Sequence, residues 1–116
     1  PNASDEELQK EGGKALRPPV VIALIAQPDR NHKVPVEEQI HATAAAGAHL
    51  MLAANALGYG CAWKTGAAAT DPIVRKGLGF GDGDVIVGFF YIGTDPAGGS
   101  PLPRAAIDGV TQFWKE

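Results

Sequence analysis

The stretch Leu52-Ala53-Ala54-Asn55-Ala56-Leu57-Gly58-Tyr59-Gly60-Cys61-Ala62-Trp63-Lys64-Thr65-Gly66 changes periodicity half-way along. Its first half closes a run in which Ile40, Ala44, Gly47, Met51, Ala54 and Leu57 recur at steps of three and four, the spacing of one helix face. Gly58 and Gly60 supply the stop. Cys61-Ala62-Trp63 continues as a short strand, on which Lys64 points to the face opposite Trp63. Thr65-Gly66 then turns the chain, and Gly66 lets a ligand approach the backbone closely.

Working outward, the spacing predicts a helix over residues 36–57, with Pro35 at its first turn and Glu37 and Glu38 at the positive end of its dipole. At 1.5 Å per residue it is roughly 30 Å long. Its face of small residues lets another backbone come close, which places it centrally or across a subunit interface. Residues 20–26 and 85–92 are continuous apolar runs and predict strands buried on both faces. Ser4, with Glu7 three residues on, predicts a helix start, and Pro18-Pro19 an extended chain beyond that helix. Asp71-Pro72 starts a short helix through Lys76. Residues 77–84 form a loop, residues 93–103 are Gly/Pro-rich and exposed, and residues 105–114 form a terminal helix or an extended arm. Helices alternating with buried strands predict a layered α/β or α+β fold. Three strands make a thin sheet, so a further segment or a second subunit is expected to complete the core.

With 45% hydrophobic and 20% charged residues the chain is globular. A net charge of −3 leaves no basic footprint for nucleic acid or for an anionic membrane surface. No apolar run reaches the roughly 20 residues of a membrane span. The polar, acidic start is unlike a signal peptide. Cys61 stands alone, so no internal disulfide forms. A reducing, cytoplasmic setting is expected.

Several constellations carry little chemistry. Gly77-Leu78-Gly79-Phe80-Gly81-Asp82-Gly83 follows a helix and precedes a strand, the reverse of the order that presents a helix N-terminus to phosphate. His41 and His49 are too far apart on one helix to form a metal pair, and no metal site is expected. Ser100 sits in no nucleophile elbow. No side chain is assigned a catalytic role. Residue type favours the core for Trp63, with a ligand-facing role as the alternative. Arg104, behind Pro101-Leu102-Pro103, is either a surface charge or a phosphate clamp.

Asn31-His32-Lys33-Val34-Pro35, Glu38-Gln39, the Ala/Gly-rich helix ending in the stretch quoted first, and Trp63-Lys64-Thr65-Gly66 together resemble the small FMN-dependent nitroreductases of the compact bacterial type. Asp71-Pro72-x-Val74-Arg75 and Ile86-Val87-Gly88-Phe89-x-Tyr91-Ile92-Gly93-Thr94 continue the match in register. The resemblance covers residues 17–96, and several motifs in the right order make it specific. It implies an α+β fold with an antiparallel sheet sandwiched by helices. It also implies a homodimer with the long helix at the interface and two FMN sites built from both subunits. By similarity Trp63, Lys64 and Thr65 contact FMN, and the backbone N–H near Thr65 and Gly66 reaches flavin N5. Ala53, Ala54, Asn55, Ala56, Leu57 and Gly58 match a segment assigned to nicotinamide dinucleotide binding. Arg104, followed by Ile107-Asp108-x-Val110 and Trp114, resembles a C-terminal arm whose basic residue binds the FMN phosphate.

The function so implied is that of an FMN-dependent NAD(P)H oxidoreductase acting on nitroaromatic or quinone-like acceptors. The alternative is a non-catalytic flavin- or ligand-binding dimer on the same scaffold. Two departures from the family pattern stand out. The Arg-Arg-Ser motif and the N-terminal segment that carries it are absent from this sequence, so residues 1–116 read as the C-terminal part of a single nitroreductase-like domain. Lys64 stands where an Arg is common, which replaces a planar fork with a point charge.

Overall fold

In a computed structural model, residues 4–94, 98 and 103–114 are described. The elements run α1 (Asp5–Ala15), β1 (Val20–Ala26), α2 (Val36–Ala56), β2 (Gly60–Lys64), α3 (Ala67–Thr70), α4 (Pro72–Gly77), β3 (Val85–Gly93) and a 3-10 turn at Ile107–Gly109. The connection expected over residues 93–103, with Ser100, falls largely outside the described residues.

Local chemistry sets most boundaries. The Glu7 N–H donates to Ser4 Oγ at 3.3 Å and the Ser4 N–H donates to the Glu7 carboxylate at 2.9 Å, a reciprocal capping box. Asp71 caps α4 by accepting from the Ile73 N–H at 2.8 Å, with Pro72 in the first turn. α2 closes in a Schellman motif. The Tyr59 N–H donates to the Ala54 carbonyl and the Gly58 N–H to that of Asn55, both at 2.9 Å, around a Gly58 φ of 84°.

The strands form one antiparallel sheet in the order β1-β3-β2. β3 is central, and Ile22, Phe90 and Trp63 lie side by side across it. The β1–β3 register shifts between Leu24 and Ile25, which leaves Val87 without a partner in β1. α2 crosses one face, turning Ile40, Ala44, Gly47, Met51 and Ala54 towards the sheet as the spacing predicts. Leu57 is corrected: as the C-cap, where the chain leaves the helix, it is 75% exposed.

The expected burial of both apolar strands on two faces is also corrected. Val20, Val21 and Ile22 are exposed, and in β3 buried Ile86, Gly88 and Phe90 alternate with half-buried neighbours. The cause is topological. β1 is an edge strand, and an antiparallel sheet with a helix across one face leaves the other open. α3, four residues long, has no counterpart in the sequence reading. Residues 105–114 form the extended arm, with one 3-10 turn, and Ile107, Val110, Phe113 and Trp114 all point to solvent.

The core is therefore small. Among the described residues the buried hydrophobic side chains are Ala26, Ala54, Ile86 and Phe90. The radius of gyration is 17.7 Å, against about 13 Å for a compact chain of this length. A Cβ added at Gly47 would stand 2.8 Å from Phe90 Cζ and 2.9 Å from Leu24 Cδ2. Two effects compete in Gly47→Ala. Helix propensity gains about 1 kcal/mol, while overpacking costs about 1–3 kcal/mol. Phe90 has no exposed surface into which to withdraw, so the cost wins and the variant should lose about 1 kcal/mol net. The urea midpoint measures this, and an unchanged or higher midpoint would show that Leu24 and Phe90 yield.

Candidate functional site

β2 runs along the sheet edge and delivers the turn of residues 63–66 to the end where β1 also finishes. Its alternation decides what each residue does. Trp63, opposite Phe90, turns under α2, and its ring centroid lies 4.9 Å from that of Phe90 at a tilt of 41°. Its Nε1–H donates to the Val87 carbonyl at 3.3 Å. The core role that residue type favours is thus the one the Trp63 side chain takes. Lys64, Thr65 and Gly66 are exposed. The ladder stops at Lys64 opposite Phe89.

Gly66 has φ 72° and ψ −166°, a region open in practice only to glycine. This conformation swings the chain from β2 into α3, whose first turn closes with the Ala69 N–H on the Gly66 carbonyl at 3.1 Å. None of the described turn and loop hydrogen bonds is donated by the Thr65 or Gly66 N–H. A cation, a hydroxyl and two main-chain donors therefore meet solvent together. That set suits the polar edge of a flat, electron-rich ligand.

The other candidate residues lie elsewhere. Ala53, Asn55, Ala56, Leu57 and Gly58 are exposed at the C-terminal end of α2, whereas Ala54 is tucked against the sheet. This segment leads into the start of β2, so in one protomer it stands about 13 Å or more from the turn, by the rise of the intervening strand. Arg104 is exposed on the arm, and none of the described hydrogen bonds or ion pairs involves it. A hollow of about 300 Å³ beside Gln39 and Thr43, and another of about 450 Å³ beside Lys76 and Asp82, are lined by other residues. Burial pushes the Cys61 thiol above its ordinary pKa, which works against the thiolate form. Among the described residues no group of His, Cys, Asp and Glu could hold a metal ion, and no helix is long and apolar enough to cross a membrane.

Gly88 is the residue packed against this turn that sequence reasoning missed. A Cβ there would stand 2.0 Å from Trp63 Nε1 and 3.1 Å from the Lys64 carbonyl oxygen. A signal existed, since a glycine inside an apolar strand marks a bulge or a close approach. Both occur here.

Known proteins resemble this chain in sequence and in fold. Residues 2–94 match the Nitroreductase family. The chain belongs to the nitroreductase family. Over 92 residues it is 37% identical to the protein named "Putative NAD(P)H nitroreductase YdjA" of Escherichia coli K12, and equally to its namesake in Escherichia coli O157:H7. The alignment takes in 79% of this chain and 50% of each relative, so the chain spans about half the length of the curated relatives it matches. A solved nitroreductase-like family protein from Bacillus cereus superposes with a TM-score of 0.80 at 26% identity, over 98% of this chain and 63% of that one. The α+β architecture, with its antiparallel sheet and helices, is a nitroreductase-like fold.

Proposed function

We propose that this chain carries the flavin-contacting turn of an FMN-dependent NAD(P)H oxidoreductase that acts on nitroaromatic or quinone-like acceptors in the cytoplasm. The observation that carries the reading is the exposed turn of residues 64–66, held open by a glycine-only conformation with its N–H groups unspent in the described turn bonds. FMN, when bound, supplies the hydride chemistry, and the protein supplies position and electrostatics. The Thr65 and Gly66 N–H groups donate to the polar edge of the ring. Lys64 offsets the negative charge of the reduced ring. Arg104 takes the phosphate from the arm. Residues 53–58 serve the dinucleotide. No side chain here acts as a general acid or base.

Two copies of the chain build the site. On the outer face of α2 the small and apolar residues Ala42, Ala45, Leu52, Ala53 and Ala56 surround His49, all exposed. An extended, thinly buried chain of this shape supports assembly through that helix. A single-chain mass in sedimentation at working concentration would remove the dimer.

The test is direct. A yellow preparation that oxidises NADPH when a nitroarene or quinone is supplied bears the reading out. FMN retention without NADPH oxidation reduces the protein to a flavin-binding dimer, and failure to bind FMN removes the flavin altogether. Arg104→Ala is expected to weaken FMN binding about ten- to a hundred-fold, the worth of one charge-assisted phosphate contact. Fluorescence titration with FMN checks this, and an unchanged Kd takes Arg104 out of the site.

A further inference from the structure

Trp63 precedes the exposed turn, yet its indole faces the other way, into β3. Besides the ring of Phe90, three neighbours hold it. Its Nε1–H meets the Val87 carbonyl at 3.3 Å. Its ring lies so close to Gly88 that a Cβ there would stand 2.6 Å from Cδ1. Its far edge reaches Gly47 of α2, where a Cβ would stand 3.2 Å from Cη2. The shift in register leaves Val87 unpartnered on the β1 side, and β2 has already ended at Lys64 opposite Phe89. No ladder pair therefore ties residues 65 and 66 to β3. The indole is the last fixed attachment before the chain turns.

We infer that Trp63 is a positioning residue. By latching onto the Val87 carbonyl over Gly88, it sets where the main chain of residues 64–66 stands, and so how its N–H groups meet the ligand. This rests on the turn being the flavin-contacting segment. Its physical basis is narrow and specific. An exposed turn anchored by one indole N–H gains freedom when that N–H is removed, even if the ring volume is largely kept. The latch is built from both sides, since only glycine at position 88 leaves room for the ring and the accepting carbonyl at position 87 stands at the shift in register.

Trp63→Phe in a Trp114→Phe background removes the N–H and keeps an aromatic ring. Site-resolved amide exchange at residues 64–67 should quicken about five- to ten-fold, the worth of one hydrogen bond, with far smaller changes across α2. Ala44→Gly is the control, because it weakens the core helix and leaves the latch intact. It should raise exchange in α2 without singling out the turn. FMN binding to the Trp63→Phe variant should weaken by a similar factor. In the unaltered chain, where no variant can misfold, the Trp63 indole N–H should exchange at least ten-fold more slowly than that of exposed Trp114. Uniform acceleration matching the Ala44→Gly pattern overturns the latch, as does an unprotected Trp63 indole. Selective loosening of the turn with unchanged FMN affinity overturns its role in positioning. Should the unaltered chain bind no FMN, the flavin reading fails and the exchange data still decide the latch.

Discussion

Phe90→Ala should cost about 3–5 kcal/mol, the largest loss expected from any single truncation in this chain. Phe90 is wholly buried, at 0% exposure, and is the one large side chain so enclosed among the described residues. Ile22 and Trp63 flank it across the sheet, and Gly47 of α2 sits over it. Two of the other three buried hydrophobic residues are alanines, which bury little area each. The cavity would open at the point where helix and sheet meet. A domain of this size has a total stability of about 5–15 kcal/mol, so the variant should lose about a fifth of it or more. With a urea slope of about 1–3 kcal/mol per molar, the midpoint should fall by 1 M or more, or the chain should be unfolded in buffer. A loss under 1 kcal/mol would mean that the core lies somewhere other than under α2.

Gly88→Ala comes next and works by intrusion. The added methyl would occupy space 2.0 Å from Trp63 Nε1, where no real carbon sits, with the Lys64 carbonyl 3.1 Å away on another side. Either the indole swings out or β2 parts from β3. Overpacking of this kind costs about 1–3 kcal/mol, and stranding the Val87 carbonyl adds about 1–3 kcal/mol. Replacing a strand glycine returns about 0.5–1 kcal/mol of chain entropy, too little to reverse the sign. A net loss of about 1–5 kcal/mol follows. With Trp114 replaced by Phe, the displaced Trp63 should also fluoresce at longer wavelength. Full stability with unshifted emission would show that the sheet can spread at no cost.

What the sequence disclosed divides along a physical line. The capping box at Ser4 and Glu7, the Asp71-Pro72 start of α4 and the Gly58 stop of α2 were all legible, because each depends on residues within a few positions of one another. The sheet-facing side of α2 was legible because a helix repeats its environment every few residues. Val20, Val21 and Ile22 misled, because an apolar run records composition and says nothing of whether its strand ends at an edge. The turn of residues 63–66 was visible as a contiguous word. Which way Trp63 faced was open, and the carbonyl that accepts its N–H lies 24 residues downstream at a bulge that no local rule places.

The outer margin of β1 has a consequence for handling the protein. From Val20 to Ala26 it carries seven apolar residues with no charge among them, and among the described residues no strand pairs with that side. Such a rim is a template on which further copies can stack strand by strand into cross-β fibrils. Pro18 and Pro19 blunt only its beginning, since proline has no N–H to offer a new neighbour. Cold, dilute storage and a lysine in place of exposed Val21 are the natural remedies.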